Sequence, residues 1–450
     1  MSAEVVSQIA RVPFLALALG APCAMGVLVA ACAPRDPPAA AAAPSATVAE
    51  ASTTAAEIAT AIPVEAPSPN AQFEAQLRAS DPRLATWMDQ AADLRLQILV
   101  TEVRDGAPWQ TFSFRADKEY FYPASAIKPF IAVASLRFAN ARAKGPIEPF
   151  SRIIRCEHNR PRCEPPPDDE DKDAEKAEAE SQEASATAEP EKKHKRLTFG
   201  EEIQKLLSYS DNDSYDRLYD MVGHRELNEA MAAIGFPEVR FQHRMGGLPS
   251  MQKTSLAFRL IRPTGQAIAM KERTSDLVLP PLAIDGLGIG ASHQTEHGIV
   301  DGPMDFSEKN RASLHDMQRL LISLVYPEKE GSAQLDITDT QRSALVAAMT
   351  RTLQPGAKVA DHYPMGPGML DVVPTANLRY VGKAGKAYGF LLENAFVENN
   401  ETHRAVFVAA TVLANPDGVM NDDVYAYEEI ARPVLRAIGV AVAQQFLVGR

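Results

Sequence analysis

The sequence predicts an α+β fold built on an antiparallel sheet, and three observations lead there. Near the start of the folded part, Leu94, Leu96, Ile98 and Val100 alternate with Arg95, Gln97 and Leu99, a period of two that suits a half-buried strand. Near the end, residues 378–383, 388–397 and 404–413 read as three more strands joined by turns. Between them, apolar residues recur at helical spacing. Strands at both ends of a largely helical chain imply one sheet in which the first and last pieces meet.

Residues 73–92 read as a helix ahead of the first strand. Asp105-Gly106 signals a turn after that strand, and residues 111–115 form the returning partner. Residues 125–143 predict a largely apolar helix. Thr198-Phe199-Gly200-Glu201 is a capping-box pattern ahead of Ile203, Leu206 and Leu207. A further helix follows Asn212, with Leu218 and Val222 at helical spacing and Gly223 at its end. Ser307 and Thr338 are expected to cap two later helices, one carrying Leu314, Met317 and Leu321, the other Leu345 and Met349. After the three late strands, a helix over residues 424–446 closes the chain.

The 450 residues carry 46 basic and 58 acidic side chains, a formal net charge of −12. Twelve acids and two lysines fall within residues 164–191, so that segment alone holds −10. The remainder is nearly neutral, which argues against a nucleic-acid binder, since that would need a basic face to meet phosphates. Residues 164–196, acidic first and basic at Lys192-Lys193-His194-Lys195-Arg196, read as a solvated insertion in a single domain of residues 76–450. Residues 32–75 are mostly Ala, Pro, Ser and Thr, too poor in large apolar side chains to offset their ordering entropy, and read as a tether.

Residues 12–31 are apolar apart from Pro13, Gly20, Pro22 and Gly26, so residues 1–31 read as a signal peptide. Leu28-Val29-Ala30-Ala31-Cys32 resembles a bacterial lipobox. That resemblance implies cleavage before Cys32, a lipid on its thiol, and an exported protein anchored on the periplasmic side of the cell envelope. In an oxidising compartment Cys156 and Cys163 are expected to form a disulfide across a short loop. The rival reading makes Cys156, His158 and Cys163 zinc ligands.

The chemistry rests on three short motifs. Ser125-Ala126-Ile127-Lys128 opens an apolar helix, and residues three apart share a helix face. A buried ammonium sheds its proton readily and can then accept the serine's. The serine's own N–H at the helix start is available to an oxyanion. Ser210-Asp211-Asn212 falls between two helices, and Lys383-Ala384-Gly385 lies on a late strand. Each alone is weak. Ser250-Met251-Gln252-Lys253 and Lys329-Glu330-Gly331 repeat two of the patterns, and serines at helix starts also serve as N-caps.

Order and context together resemble the serine β-lactamases and penicillin-binding proteins and, within them, the class A β-lactamase-like group. The resemblance spans residues 75–447. It implies a β-lactamase/transpeptidase-like architecture, with a five-stranded antiparallel sheet flanked by helices, an all-helical lobe, and the site between them. It further implies that Ser125 is the acylated nucleophile and Lys128 its activating partner. Ser210 would pass a proton to the leaving nitrogen, and Asn212 would hold the substrate amide and Lys128. Lys383 would bind the substrate carboxylate and position Ser210, within a substrate-binding strand that includes Gly385 and Lys386. The oxyanion would sit between the N–H groups of Ser125 and Lys386. No cofactor or metal is expected. The implied substrate is a β-lactam or a small peptidoglycan-peptide-like molecule.

Two departures stand out. Class A enzymes deacylate with a glutamate about 35 residues past the Ser-Asp-Asn motif, yet no acid occurs between Glu238 and Glu272. A general base contributes about 10²–10⁴-fold, so Ser125 without one would acylate and stall unless Glu238, His243 or another acid substitutes. The second departure is Ala384, where the family usually has Thr or Ser, so carboxylate recognition is expected to be weaker unless Arg379 or Lys386 compensates. His293-Gln294-Thr295-Glu296-His297 has an inverzincin-like spacing, but Gly286, Gly288, Gly290 and Gly298 surround it and predict a loop. Trp87, Trp109, Tyr120 and Tyr122 read as packing. The leading expectation is an exported serine hydrolase that opens β-lactams through an acyl-enzyme. A D,D-peptidase or esterase with slow deacylation and a non-catalytic cell-wall-peptide or protein-binding domain are the alternatives.

Overall fold

The computed structural model describes residues 68–155, 197–246, 252–353 and 362–448. Cys32, Cys156 and Cys163, and with them the lipidation, disulfide and zinc readings, lie outside the described residues. So do most of the proposed tether and the acidic insertion.

The strand patterns at the two ends do meet. Strands β1 (Gln97–Val103), β2 (Gln110–Phe114), β3 (Leu378–Ala387), β4 (Phe390–Asn399) and β5 (Arg404–Leu413) form one antiparallel sheet in the order β3-β4-β5-β1-β2. Val100 of the first strand faces Val408 of the last. A two-residue strand, Thr350–Arg351, adds a sixth member beside β3. Successive side chains alternate between faces. Ile98, Val100, Val406 and Val408 enter one core, whereas Leu99, Phe407 and Ala409 enter the other. Helices cover both faces, which explains why β4 and β5 are buried almost throughout.

On one face lie α1 (Pro69–Ser80), α2 (Pro82–Asp89) and the closing helix. The single helix expected over residues 73–92 is two, because Pro82 cannot donate to a continuing helix. Asp81 turns extended there and caps α2 by accepting from the Arg83 N–H. Phe73 is fully buried, so folded structure begins ahead of residue 76.

The other face carries the helical lobe. Helix α3 (Lys128–Ala143) runs through its middle, with Phe130, Ile131, Val133 and Ala134 all completely buried. Around it pack α4 (Phe199–Ser208), capped by the expected Thr198–Glu201 box, α5 (Asn212–Val222) and α6 (His224–Ala233). Helix α7 (Leu314–Val325) is capped by Ser313 rather than Ser307, whose N–H and hydroxyl both donate to Asp305. Helix α8 (Asp339–Met349) has its Thr338–Gln341 capping box.

The lobe also bears short strands that the sequence reading did not foresee. Arg152–Arg155, Phe258–Ile261 and Ala267–Met270 form a small sheet, and Ser292–Thr295 with Gly298–Asp301 makes a hairpin. Strands of four residues are too short for alternation to declare them. Helix α9 (Gly366–Leu370) precedes β3, and α10 (Arg432–Val442) closes the chain with a wider π-turn at each end, Tyr427–Ala431 and Ala443–Leu447.

Candidate active site

Ser125 sits in a 3₁₀ turn, Ala124–Ile127, that leads directly into α3. Ala124 before it has a φ of 45°, a left-handed conformation unusual for a residue with a side chain. The turn lies flat against β3 because residue 385 is glycine. A Cβ there would stand 2.3 Å from the Pro123 carbonyl oxygen and 3.1 Å from the Ser125 nitrogen. Gly385 thus lets the Ser125 turn lie against the strand through its lack of a side chain.

Ser210 also has a left-handed backbone, with φ 58°. Asp211 next to it is spent on structure, its carboxylate accepting from the N–H and the hydroxyl of Ser214 at 2.7 Å each to cap α5. Ser210 and Asn212 remain to face the lysines. Lys128 Nζ donates to Asn212 Oδ1 at 2.8 Å, to the Ser210 carbonyl, and at 3.4 Å to Ser210 Oγ. Lys383 Nζ lies 2.9 Å from the same Ser210 Oγ and 2.9 Å from the Ala384 carbonyl. Two buried amines therefore converge on one hydroxyl. No hydrogen bond joins Lys128 to Ser125 itself.

Burial controls the charge of both amines. Desolvation lowers the Lys128 pKa to about 8, with Asp211 and Asp216 pulling the other way. Lys383 is pushed well below the usual lysine range, first by burial and then by Lys128 and Arg351, against the opposing Glu393. Glu393 is itself fully buried on β4 and accepts from the Tyr380 hydroxyl at 2.7 Å and the Met365 N–H at 2.9 Å. Its pKa is raised to about 7 by desolvation.

A cleft of about 1080 Å³ opens over Ser125, and Asn212 and Lys386 line it with Ser125. Lys128 and Lys383 are buried behind that surface. Lys386 is exposed and lays its ammonium over the Tyr427 ring at 5.3 Å. Tyr122, read from sequence as packing, is buried and also walls the cleft, edge-on to Tyr388 at 5.2 Å between ring centres.

The chain matches the model of the beta-lactamase enzyme family over residues 171–445. It belongs to that family. The matched range of this β-lactamase-family chain includes Ser210, Asn212 and Lys383 but begins after Ser125 and Lys128, which the fold brings to them. Solved structures similar to it include a beta-lactamase from Desulfarculus baarsii DSM 2075, at 16% identity and TM-score 0.45, covering 82% of this chain and 97% of that one. Another is a beta lactamase from Xanthomonas campestris pv. campestris, at 15% identity and TM-score 0.45, covering 84% and 99%. The beta-lactamase from Streptomyces albus G is a third, at 14% identity and TM-score 0.43, covering 82% and 100%. No curated protein matches the chain.

This β-lactamase relative has no acid between Glu238 and Glu272, and the two substitutes differ in place. Glu238 is exposed, pairs with Arg311 at 3.6 Å and does not line the cleft. His243 does line it, but stacks on Tyr122, puts Nδ1 2.5 Å from the Arg244 carbonyl and accepts the Asn310 N–H at Nε2, 3.4 Å. Burial drives its pKa down to about 4, a weak base. Among the described residues, the acids on the cleft wall are Asp305, Glu308 and Asp423. They come from distant segments, and no sequence spacing could have selected them. Lys329 lies over the Trp109 ring, outside the cleft. His293 and His297 lie on the hairpin and its turn, not on a helix.

Proposed function

We propose that the chain is a serine hydrolase in which Ser125 opens an amide-type carbonyl, a β-lactam first among candidates, through an acyl-enzyme. The observation that carries this is the convergence of Lys128 and Lys383 on Ser210 Oγ beside Ser125. In the neutral form Lys128 takes the Ser125 proton as Oγ bonds to the carbonyl carbon. Oxygen then carries the negative charge, facing backbone N–H groups at the Ser125 turn and on β3. As the C–N bond breaks, the nitrogen takes a proton from Ser210, which regains one from the lysines. Water then frees the acyl group from Ser125. Export and a lipid anchor at Cys32 belong to the same reading and are supported by the lipobox-like Leu28-Val29-Ala30-Ala31-Cys32.

The absence of an acid on residues 241–246 favours a second reading, in which deacylation is slow and the enzyme handles cell-wall peptides. Time-resolved intact mass with a penicillin, beside Ser125→Ala, separates them. An adduct that forms and decays as drug is consumed, and is missing in the variant, supports β-lactam hydrolysis. A persistent adduct moves the assignment to the slow enzyme. If no adduct forms and no drug is consumed, β-lactams are not substrates.

A further inference from the structure

We propose that Arg351 is the positioning residue that holds Ser210 between the two lysines, an inference that rests on the catalytic reading above. Arg351 occupies the two-residue strand after α8, paired with Tyr380 three residues ahead of Lys383. Its guanidinium turns away from the strand toward the end of α4. Nη2 donates to the Leu207 carbonyl at 2.7 Å and the Ser208 carbonyl at 3.4 Å, while Nη1 donates to Ala348 at 2.8 Å and Thr350 at 3.1 Å.

Leu207 and Ser208 end α4, and the last carbonyls of a helix have no partner within it. The N–H groups of Tyr209 and Asp211 both go to Lys205. Arg351 therefore supplies donors where the backbone does not, and its positive charge suits a helix C-terminus. Ser208 Oγ adds a second tie, donating to the Ala348 carbonyl at 2.9 Å. Two residues later the chain must hold Ser210 at φ 58°, and a strained conformation persists only where its surroundings fix it. Arg351 fastens that segment to the edge of the strand bearing Lys383. A lysine could reach one carbonyl group, whereas the planar fork reaches both sets at once.

The test uses the full chain with Arg351→Met and Arg351→Lys. Two readouts are acylation by a fluorescent penicillin and hydrogen exchange at the Asp211 amide. In Arg351→Met the limiting acylation rate should fall roughly ten- to hundredfold, as a small misplacement of a reacting group does. The half-saturating penicillin concentration should barely move. Exchange at Asp211 should quicken while the α8 amides stay protected. Arg351→Lys should recover part of the rate, and it stands in if the methionine variant does not fold. Acylation at the wild-type rate, or a slowed rate with unchanged Asp211 exchange, overturns the proposal. Should the wild-type chain not acylate at all, the β-lactam reading has failed on its own, and unchanged exchange at Asp211 would still refute the role of Arg351.

Discussion

At the scale of single residues, the proposed acylation makes the charge on Lys128 the quantity that sets the rate. An ammonium cannot accept the Ser125 proton, and burial has brought its pKa down to about 8. Because the neutral amine is the active form, acylation should climb about tenfold per pH unit below that value and level off above it. Stopped-flow acylation across the neutral to mildly alkaline range reads this directly, and a flat profile would rule Lys128 out as the base. Lys128→Arg keeps the positive charge but cannot release its proton, so it should abolish acylation. His243 offers a contrast on the same cleft. It is already neutral at pH 7, and its ring nitrogens are engaged with Arg244 and Asn310, so it gives no second rise.

Between elements, the contact that matters most is the one between the Ser125 turn and β3. Gly385→Ala would place a methyl 2.3 Å from the Pro123 oxygen, backbone against backbone, with no flexible side chain to yield. The turn must then lift from the strand. Acylation should drop at least as far as for a misplaced nucleophile, about a hundredfold, with far-ultraviolet circular dichroism unchanged. Near-wild-type acylation in a folded Gly385→Ala protein would mean that the turn does not need this seat. The sequence made the elements on either side legible. Alternation located β1, turn-separated runs marked β3, β4 and β5, and the Thr198 box and the Thr338 cap marked two helix starts. Three motifs carried Ser125, Lys128, Ser210, Asn212 and Lys383 to one place. What stayed hidden depends on partners far along the chain. Ser307 looks like a cap until Asp305 claims it, and Arg351 looks like any arginine after a helix until the end of α4 comes against it. The walls of the cleft were hidden for the same reason, since Tyr122, Glu308 and Asp423 share no local pattern.

For the whole molecule, the sheet divides labour between its faces. The cleft and all three motifs lie with the helical lobe, while the opposite face joins the two ends of the folded chain. Phe73 of α1, Phe112 of β2 and Phe446 after α10 form an aromatic cluster there, with ring centres 5.4 to 6.3 Å apart. Since β1 pairs with β5, more than 300 residues separate strands that must meet, a topology dominated by long-range contacts that favours slow folding. The cluster then acts as the clasp on that closure. Truncating a fully buried phenylalanine costs about 3–5 kcal/mol, so Phe73→Ala should lower the thermal midpoint markedly and shift chemical unfolding to less denaturant. Its effect should stop at stability. Below the unfolding transition, acylation per folded molecule should match wild type, because the sheet lies between the cluster and Ser125. Comparing denaturation midpoints with acylation rates for Phe73→Ala and Gly385→Ala tests the division in both directions. Each variant should move one quantity far more than the other. A Phe73→Ala protein that stays folded yet acylates as poorly as Gly385→Ala would show that the two faces are coupled through the strands.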